Sequence, residues 1–393
     1  MTTPLQGALT LTSPSPQLQA LRERAARFSD EVVQPRAKDI DLSDEFPWDV
    51  IEAAHREGLL ALTVPKEFGG GGASMTEATV VIEELARNSI SVAVPICANI
   101  TGGLYLRNWP ASEHLRRQLF EPMVEGKLLG FGGTEPQAGT DPAGYRTTAV
   151  RDGDVYRLNG QKWATTNGGV AEVYVIFAMT DPEARNRGMS AFLVNGDMPG
   201  LKLDGFLDKC GWRGCREAEL TLDNLEVPVE NRIGEEGEGF KVLMKCFEMG
   251  RITVAANCIG LAQGSLDYAF RYAQQREAYQ QPIIGFQAIQ NMLADAAIGL
   301  TTARLLLRSV TERWDNGERE STNFHAAMAK YHAVEVAKKT TTDMVDVLGG
   351  HGFMRDHPVE RMWRDHKAFW AGEGAQPIQR QVIVKELQHR YPL

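Results

Sequence analysis

Residues 151–178 read RDGDVYRLNGQKWATTNGGVAEVYVIFA and place a β-rich unit in the middle of the chain. Asp152 and Gly153 stand between two strand-like runs, and an Asp-Gly pair there predicts a tight hairpin. Residues 173–178 and 189–194 are short β-rich runs of the kind found in strands. Pro228 marks the exit from the sheet, because proline cannot donate a ladder hydrogen bond. We predict a compact antiparallel barrel or sandwich over residues 129–236.

Helical periodicity lies on both sides of this unit. Before it, Leu18, Leu21, Ala25 and Phe28 recur every three or four positions, as on the buried face of a helix. Beyond residue 237 a longer stripe has the same period: Phe286, Ile289, Leu293, Ala296, Leu300, Ala303, Leu307 and Val310. Ser112, followed by Glu113, suits a helix N-cap. The pattern predicts an α+β multidomain protein with a helical domain at 1–128 and a helical bundle at 237–393.

Composition narrows the classes of function. The 393 residues carry a formal net charge of −9, which repels nucleic acid, so we expect no polynucleotide partner. No continuous apolar run approaches the roughly 18 residues that suggest a membrane span. The five cysteines form no zinc or disulfide pattern, and the N-terminus lacks the features of a signal peptide, so we expect a cytoplasmic location.

Several polar or aromatic features have ordinary structural interpretations when each is taken alone. His351, His357 and His366 lack metal-ligand spacing, so no metal site is predicted. Residues 133–141, GTEPQAGTD, could be a connector or a loop that holds a heterocycle or phosphate. Glu373 lies between two glycines, a context typical of a solvated turn. Core packing is the expected fate of Tyr279, Trp363 and Trp370.

Motifs across the whole chain help to decide between the structural and functional interpretations of these residues. Residues 133–141 resemble TEPxAGSD, residues 159–168 resemble NGxKxxxTNG, and residues 209–213 match KxGxR. Residues 231–240 match NxIGxxGxGF, residues 276–287 resemble RxxFGxPIxxFQ, and residues 372–380 resemble YEGTxxIQR. In this order, they resemble the motifs of the acyl-CoA dehydrogenase family.

The resemblance implies a fold, a cofactor and an assembly. The fold is an N-terminal α-helical domain, a middle antiparallel β-barrel and a C-terminal four-helix bundle. FAD would bind between barrel and bundle, usually in a homotetramer, with some of the contacts made to the FAD of a neighbouring subunit. The implied FAD-binding residues are Phe131, Gly133, Thr134, Thr140, Thr166, Arg276, Tyr279, Gln287, Asp346, Gly349 and Gly350.

The resemblance also assigns the chemistry. Glu373 would remove the α-proton of an acyl thioester, a task that needs a poorly solvated carboxylate of raised pKa, while the β-hydride passes to the flavin. Some branches of the family place the base where this chain has Gly250, which cannot accept a proton. The implied substrate-binding residues are Thr140, Glu248, Arg251, Gly372, Gly374 and Lys385.

Departures from the family pattern qualify these assignments. Ala164 replaces an aromatic residue that lies against the flavin, and neighbouring Trp163 could substitute only after a register shift. Gly372 replaces a frequent tyrosine, so we expect a roomier acyl pocket that accepts branched, cyclic or aryl groups. Other departures occur at Cys215 and Glu217, where Ser and Thr are common, and at Asp346, Ala375 and Pro377.

Three functions stay open at this point. The first is dehydrogenation of an acyl-CoA, with electrons passed to an electron-transfer flavoprotein or a similar acceptor. The second is the same chemistry on an acyl-carrier-protein thioester, because both carriers present a pantetheine arm. The third is a non-catalytic subunit that binds FAD or acyl-CoA, although the presence of Glu373 argues against it. Chain length and branching have no local sequence signature.

Overall fold

The computed structural model describes residues 9, 14–107, 109 and 111–391. Its first part is helical, with a π-helical segment between the first two α-helices. The helices are α1 (Pro16–Phe28), α2 (Gln34–Ser43), α3 (Trp48–Arg56), α4 (Met75–Asn88), α5 (Ile90–Arg107) and α6 (Glu113–Val124). Ser112 caps α6 by accepting a hydrogen bond from the Leu115 backbone, which confirms the predicted N-cap.

Helix α5 is long and apolar enough, by length and composition alone, to cross a membrane. This differs from the expectation drawn from the sequence, in which no continuous apolar run was long enough. Most of its side chains are buried inside the protein, including Ile96, Ile100 and Leu104. The helix packs against α4 and against the first long helix of the C-terminal part. Its apolar composition is therefore that of an internal helix.

The middle part is an eight-stranded sheet. Its strands are β1 (Leu129–Gly132), β2 (Thr148–Asp152), β3 (Val155–Thr166), β4 (Val173–Met179), β5 (Met189–Asn195), β6 (Leu201–Phe206), β7 (Glu217–Pro228) and β8 (Arg232–Ile233). The order is β6-β7-β3-β1-β4-β5-β8, with β2 pairing to β3 and β4. Most pairs are antiparallel, as expected, but β1 and β2 each run parallel to β4. The predicted hairpin at Gly153 and the exit at Pro228 are both present.

Strand β4 shows why this sheet sits between two hydrophobic cores. All seven of its residues are buried, and successive side chains point to opposite faces. Val173, Val175 and Phe177 join the large core shared with the helices. Tyr174 and Ile176 join a smaller core enclosed by the strands themselves. The continuous apolar run in the sequence thus reflects burial on both faces.

The C-terminal part is a bundle of long helices. Its helices are α7 (Gly239–Gln275), α8 (Gln287–Asp315), α9 (Thr322–Leu348), α10 (Pro358–Asp365) and α11 (Gln376–Arg390), and a two-stranded hairpin of β9 (Glu277–Ala278) and β10 (Gln281–Pro282) separates α7 from α8. The predicted stripe on α8 is buried from Leu293 to Val310. Helix α7 has 37 residues and spans roughly 55 Å, so it contacts both the N-terminal helices and the sheet.

Candidate active site

The loop that carries Glu373 joins a 3₁₀ turn, His366–Trp370, to α11. Glu373 and Gly374 both adopt left-handed backbone conformations, with φ of 54° and 83°. For a residue with a Cβ this conformation costs roughly 1–2 kcal/mol, so neighbouring contacts must hold it. Gly374 has a further reason to be glycine, because a Cβ there would lie 2.9 Å from Gln379 Nε2.

Three buried side chains hold this loop through its carbonyl oxygens. Gln379 donates from Nε2 to the carbonyls of Glu373 and Gly374, at 3.2 and 2.7 Å. Lys330 Nζ donates to Gly374 O at 2.9 Å, and Arg251 Nε donates to Glu373 O at 3.4 Å. Because the donors come from α11, α9 and α7, the position of the loop depends on the whole bundle.

The carboxyl group of Glu373 points inward rather than to solvent. Its Oε2 is buried and has no hydrogen-bond partner among the described residues. The group rests against Gly250 of α7, where an added Cβ would lie 2.4 Å from both Cδ and Oε2 of Glu373. Burial raises the pKa of Glu373 to about 7, although Arg251 and Lys330 partly oppose this rise. Such a carboxylate is weakly solvated and suited to accept a proton near neutral pH.

Lys330 is a residue of this site that sequence reasoning missed. It is fully buried on α9, among the apolar side chains of Ala326, Ala333 and Val334. Burial lowers the pKa of its ammonium group to about 8. The sequence signal that could have identified Lys330 is its place in the middle of an apolar helix stripe, since lysine is rarely buried without a partner.

Two thiols and one phenol hydroxyl are influenced by the charge of the Glu373 carboxyl. Burial raises the pKa values of the Cys246 and Cys97 thiols and of the Tyr145 hydroxyl, and the Glu373 charge raises each further. All three groups therefore lie within electrostatic range of Glu373. Cys97 also lies 3.5 Å from Asn257 Nδ2 and 3.8 Å from Thr101 Oγ1. Tyr145 connects this region to the predicted cofactor loop.

The predicted cofactor loop is fixed by a buried ion pair. Glu135 accepts hydrogen bonds from the Arg146 and Thr147 backbones and from Lys162 Nζ, the last at 2.8 Å. Lys162 also lies over the Tyr145 ring, 4.7 Å from its centre. Burial alone would raise the pKa of Glu135, but Lys162 and the backbone donors lower it. The loop is thus rigid at its buried side.

The accessible side of this loop presents groups that suit a flavin ring. Phe131 on β1 and Thr166 on β3 are cross-strand partners, and both are partly exposed, as is Thr134. The Trp163 backbone N–H donates to Thr134 O at 2.9 Å. Hydroxyls at the end of a strand, such as Thr166 at the end of β3, can direct hydrogen bonds to a planar heterocycle. These residues fit the ring of FAD, the cofactor that the resemblance implies.

Strand β3 has a bulge at Ala164, where Trp163 could replace the missing aromatic residue only after a shift in register. The pairing between β3 and β7 shifts between Lys162 and Thr165, and Ala164 adopts a left-handed conformation with φ of 52°. A bulge changes the face to which the following side chains point. The local shift that Trp163 would need is therefore present, and its side chain is 40% exposed.

The predicted substrate-binding residues do not all come together. Gly372 and Gly374 lie within the Glu373 loop, and Arg251 contacts it. Glu248 is mostly buried on α7 and pairs with Lys245 at 2.8 Å. Thr140 and Lys385 are exposed, and no hydrogen bond joins either to Glu373 in the part of the chain that the structure describes.

The remaining predicted cofactor residues form a separate, exposed set at one end of the bundle. Arg276 follows α7, and the ring of Tyr272 near the end of that helix lies 6.1 Å from His351 in the turn after α9. The exposed residues are Arg276, Tyr279, Gln287, Asp346, Gly349 and Gly350.

The expected core packing of three aromatic side chains is wrong. Tyr279 is 92% exposed because it occupies the β9–β10 turn, whose two central residues, Tyr279 and Gln280, have positive φ. Trp363 and Trp370 are 47% and 43% exposed. Among the described residues, no group of His, Cys, Asp or Glu side chains is arranged to hold a metal ion.

Comparison with known proteins gives consistent matches over nearly the whole chain. Three family models match in order: the acyl-CoA dehydrogenase N-terminal domain at 15–127, middle domain at 130–225 and C-terminal domain at 237–388. The chain is 37% identical to cyclohexane-1-carbonyl-CoA dehydrogenase of Geobacter metallireducens, over 95% of this chain and 98% of that protein.

Solved structures agree in fold. Butyryl-CoA dehydrogenase from Megasphaera elsdenii superposes with a TM-score of 0.92 at 33% identity, covering 96% of this chain and 99% of the other. A prolyl acyl carrier protein oxidase superposes with a TM-score of 0.90 at 27% identity, covering 95% and 100%.

Proposed function

The chain belongs to the acyl-CoA dehydrogenase family, and we propose that it oxidises an acyl-CoA to its trans-2-enoyl form with Glu373 as the base. Membership makes it an oxidoreductase acting on CH–CH donors, with FAD as the cofactor that the family implies. The observation that carries the assignment of the base is the buried, unpartnered Oε2 of Glu373. A carboxylate oxygen without a hydrogen-bond partner is free to accept the α-proton.

The residues of the site would have different roles in the reaction. Phe131, Gly133, Thr134, Thr140 and Thr166 would hold the flavin, which when bound supplies the hydride acceptor. Glu373 would take the α-proton. No acceptor among the described residues is bonded to the Glu373 backbone N–H, so this group could donate to the thioester carbonyl and stabilise its developing negative charge.

We propose that the exposed set at the end of the bundle binds the FAD of a neighbouring subunit in a homotetramer. Arg276 could pair with pyrophosphate through its planar fork. Gly349 and Gly350 leave open space, since a Cβ at either would meet nothing within 4 Å. The electron acceptor would be an electron-transfer flavoprotein or a similar protein. A cytoplasmic location remains a prediction.

The acyl group is proposed to be branched or cyclic. Gly372 leaves space beside the base, because the nearest atom to an added Cβ is Ala368 O at 3.6 Å. The relative of 37% identity named for cyclohexane-1-carbonyl-CoA supports this choice. The oxidase whose name gives an acyl carrier protein substrate keeps the second candidate open, namely the same chemistry on a carrier-bound acyl group.

The test is anaerobic titration of the FAD-loaded protein with butyryl-CoA and cyclohexane-1-carbonyl-CoA, followed by loss of flavin absorbance. We expect bleaching by both, with higher kcat/KM for the cyclic substrate. Gly372→Tyr should reverse the order by lowering kcat/KM for the cyclic substrate at least about tenfold, because a ring then occupies the space. Bound flavin that no acyl-CoA reduces would favour a carrier-bound substrate or a non-catalytic subunit.

The pH profile of kcat/KM is expected to reflect ionisation of Glu373. The reaction needs the carboxylate, so the rate should rise about tenfold per pH unit below the pKa of Glu373 and level off above about 7. Lys330→Met removes a positive charge that stabilises the Glu373 carboxylate. The pKa of Glu373 should therefore rise, and the rising limb of the profile should move to higher pH. The matched control is Lys339→Met on the exposed face of α9. If kcat/KM falls but the rising limb of its pH profile stays at the same pH, Lys330 has only a structural role.

A further inference from the structure

Glu217, at the start of β7, is a buried carboxyl group for which the reaction described above has no use. Its side chain is only 6% exposed. Its Oε1 and Oε2 lie 3.1 and 3.3 Å from the Thr166 hydroxyl. No lysine or arginine of the described chain forms an ion pair with it: the Lys209 ammonium instead donates to the carbonyls of Leu207 and Cys215. A buried carboxyl without a cation is costly unless it is protonated.

Thr166 links Glu217 to the proposed flavin site. On β3 it is the cross-strand partner of Phe131 on β1 and of Glu217 on β7. Thr166 is partly exposed, whereas Glu217 is buried. Thr166 therefore lies at the accessible end of β3 and is hydrogen-bonded to the buried carboxyl.

The proton on Glu217 determines what Thr166 can do. A threonine hydroxyl has one hydrogen to donate and two lone pairs to accept with. A Glu217 carboxylate can only accept, so it takes the single hydrogen of Thr166. A neutral Glu217 can donate to Thr166 Oγ1 instead, which leaves the Thr166 hydrogen free to point toward the accessible end of β3.

We propose that Glu217 is a positioning residue that sets, through its own proton, whether Thr166 donates a hydrogen bond to the flavin. The neutral acid directs the Thr166 hydrogen to the flavin, and the carboxylate withdraws that hydrogen and adds a negative charge nearby. This inference rests on the proposed flavin site, but it requires no acyl substrate.

The surroundings of Glu217 place this switch near neutral pH. Burial raises the pKa of Glu217 to about 8, and Thr166, Lys209 and Cys215 only partly oppose the rise. Cys215 Sγ lies 3.9 Å from Glu217 Oε1, and burial raises the pKa of its thiol well above the ordinary value. Asp365, at the end of α10, lies within electrostatic range of Cys215 and adds a negative charge to the same region.

The experiment is a pH titration of the visible absorbance of bound, oxidised FAD, from about pH 6 to about pH 10. Every protein carries Glu373→Gln, so that the Glu373 carboxyl, whose pKa burial raises to about 7, does not titrate. With Glu217 present we expect an inflection at about pH 8. Glu217→Gln should abolish it, and Glu217→Thr serves as a second variant if the amide impairs folding. Cys215→Ala should keep it, because the thiol is not the titrating group.

A redox titration gives an independent reading. Above the inflection, the midpoint potential of the flavin should be lower in the protein that retains Glu217 than in Glu217→Gln, because a nearby negative charge disfavours added electrons. Below the inflection, the two potentials should converge. An inflection that survives Glu217→Gln, or its absence from the Glu373→Gln protein, overturns the inference alone. A purified protein that binds no flavin overturns the proposed function together with it.

Discussion

Glu373→Gln is expected to lower kcat for acyl-CoA oxidation by about 10⁴-fold, the upper end of what a positioned general base contributes. The amide has nearly the same shape as the acid, so it should still fit against Gly250 and leave the loop carbonyls in place. It cannot, however, accept the α-proton. Anaerobic mixing with substrate should therefore leave the flavin absorbance unchanged over times in which the unmodified protein is fully bleached.

Two controls separate the loss of the base from damage to the fold. Flavin content and thermal stability of Glu373→Gln should match those of the unmodified protein. Glu248→Gln changes a second mostly buried carboxyl on the bundle. It should affect KM more than kcat, because the family resemblance implies that Glu248 contacts the pantetheine or adenine portion of the substrate. Rapid bleaching of Glu373→Gln would assign the base to another residue.

Gly250→Ala is expected to lower kcat by about 100-fold, because a misplacement of the base by about 1 Å has effects of this size. An added Cβ would lie 2.4 Å from the Glu373 carboxyl, so the carboxyl must move. Alanine favours helix more than glycine does, so α7 itself should not be weakened. The measurement is kcat with a saturating acyl-CoA, alongside flavin content.

Gly299→Ala is the matched control for this substitution. It also lies within a long helix, α8, and its added Cβ would meet only the Val336 side chain, at 3.2 Å. We expect kcat to stay within about twofold of the unmodified protein, because the added Cβ of this half-buried residue would meet Val336 and not the base. Normal kcat in Gly250→Ala would contradict the close packing of Glu373 against α7.

The contacts that hold the Glu373 loop in place also affect the proposed function of Glu373. Glu373 is held in a left-handed conformation by donors from three helices, and two of the residues that hold it, Arg251 and Lys330, are buried cations. These charges partly offset the effect of burial on the pKa of Glu373. The same contacts therefore fix the position of the carboxyl and keep its pKa near neutrality.

Local sequence determined the three-part architecture, and the order of motifs along the whole chain identified the candidate base. Helical stripes and strand-like runs depend on neighbours a few positions apart, so the helices around residues 286–310 and the strands at 173–178 could be predicted directly. The Gly-Glu-Gly segment became a candidate only through its place in a series of motifs. Parallel pairing of β1 with β4 was not predicted, because register between distant strands has no local signal.

Only the tertiary structure decided the surroundings of that base and of the cofactor loop. Arg251 and Glu373 are 122 positions apart, Lys330 and Gly374 are 44 apart, and Thr166 and Glu217 are 51 apart. Each pair meets because helices and strands pack, and the resulting burial shifts the pKa of the carboxyl groups. Sequence alone names the residue types, whereas the free energy of a buried charge depends on which groups packing brings beside it.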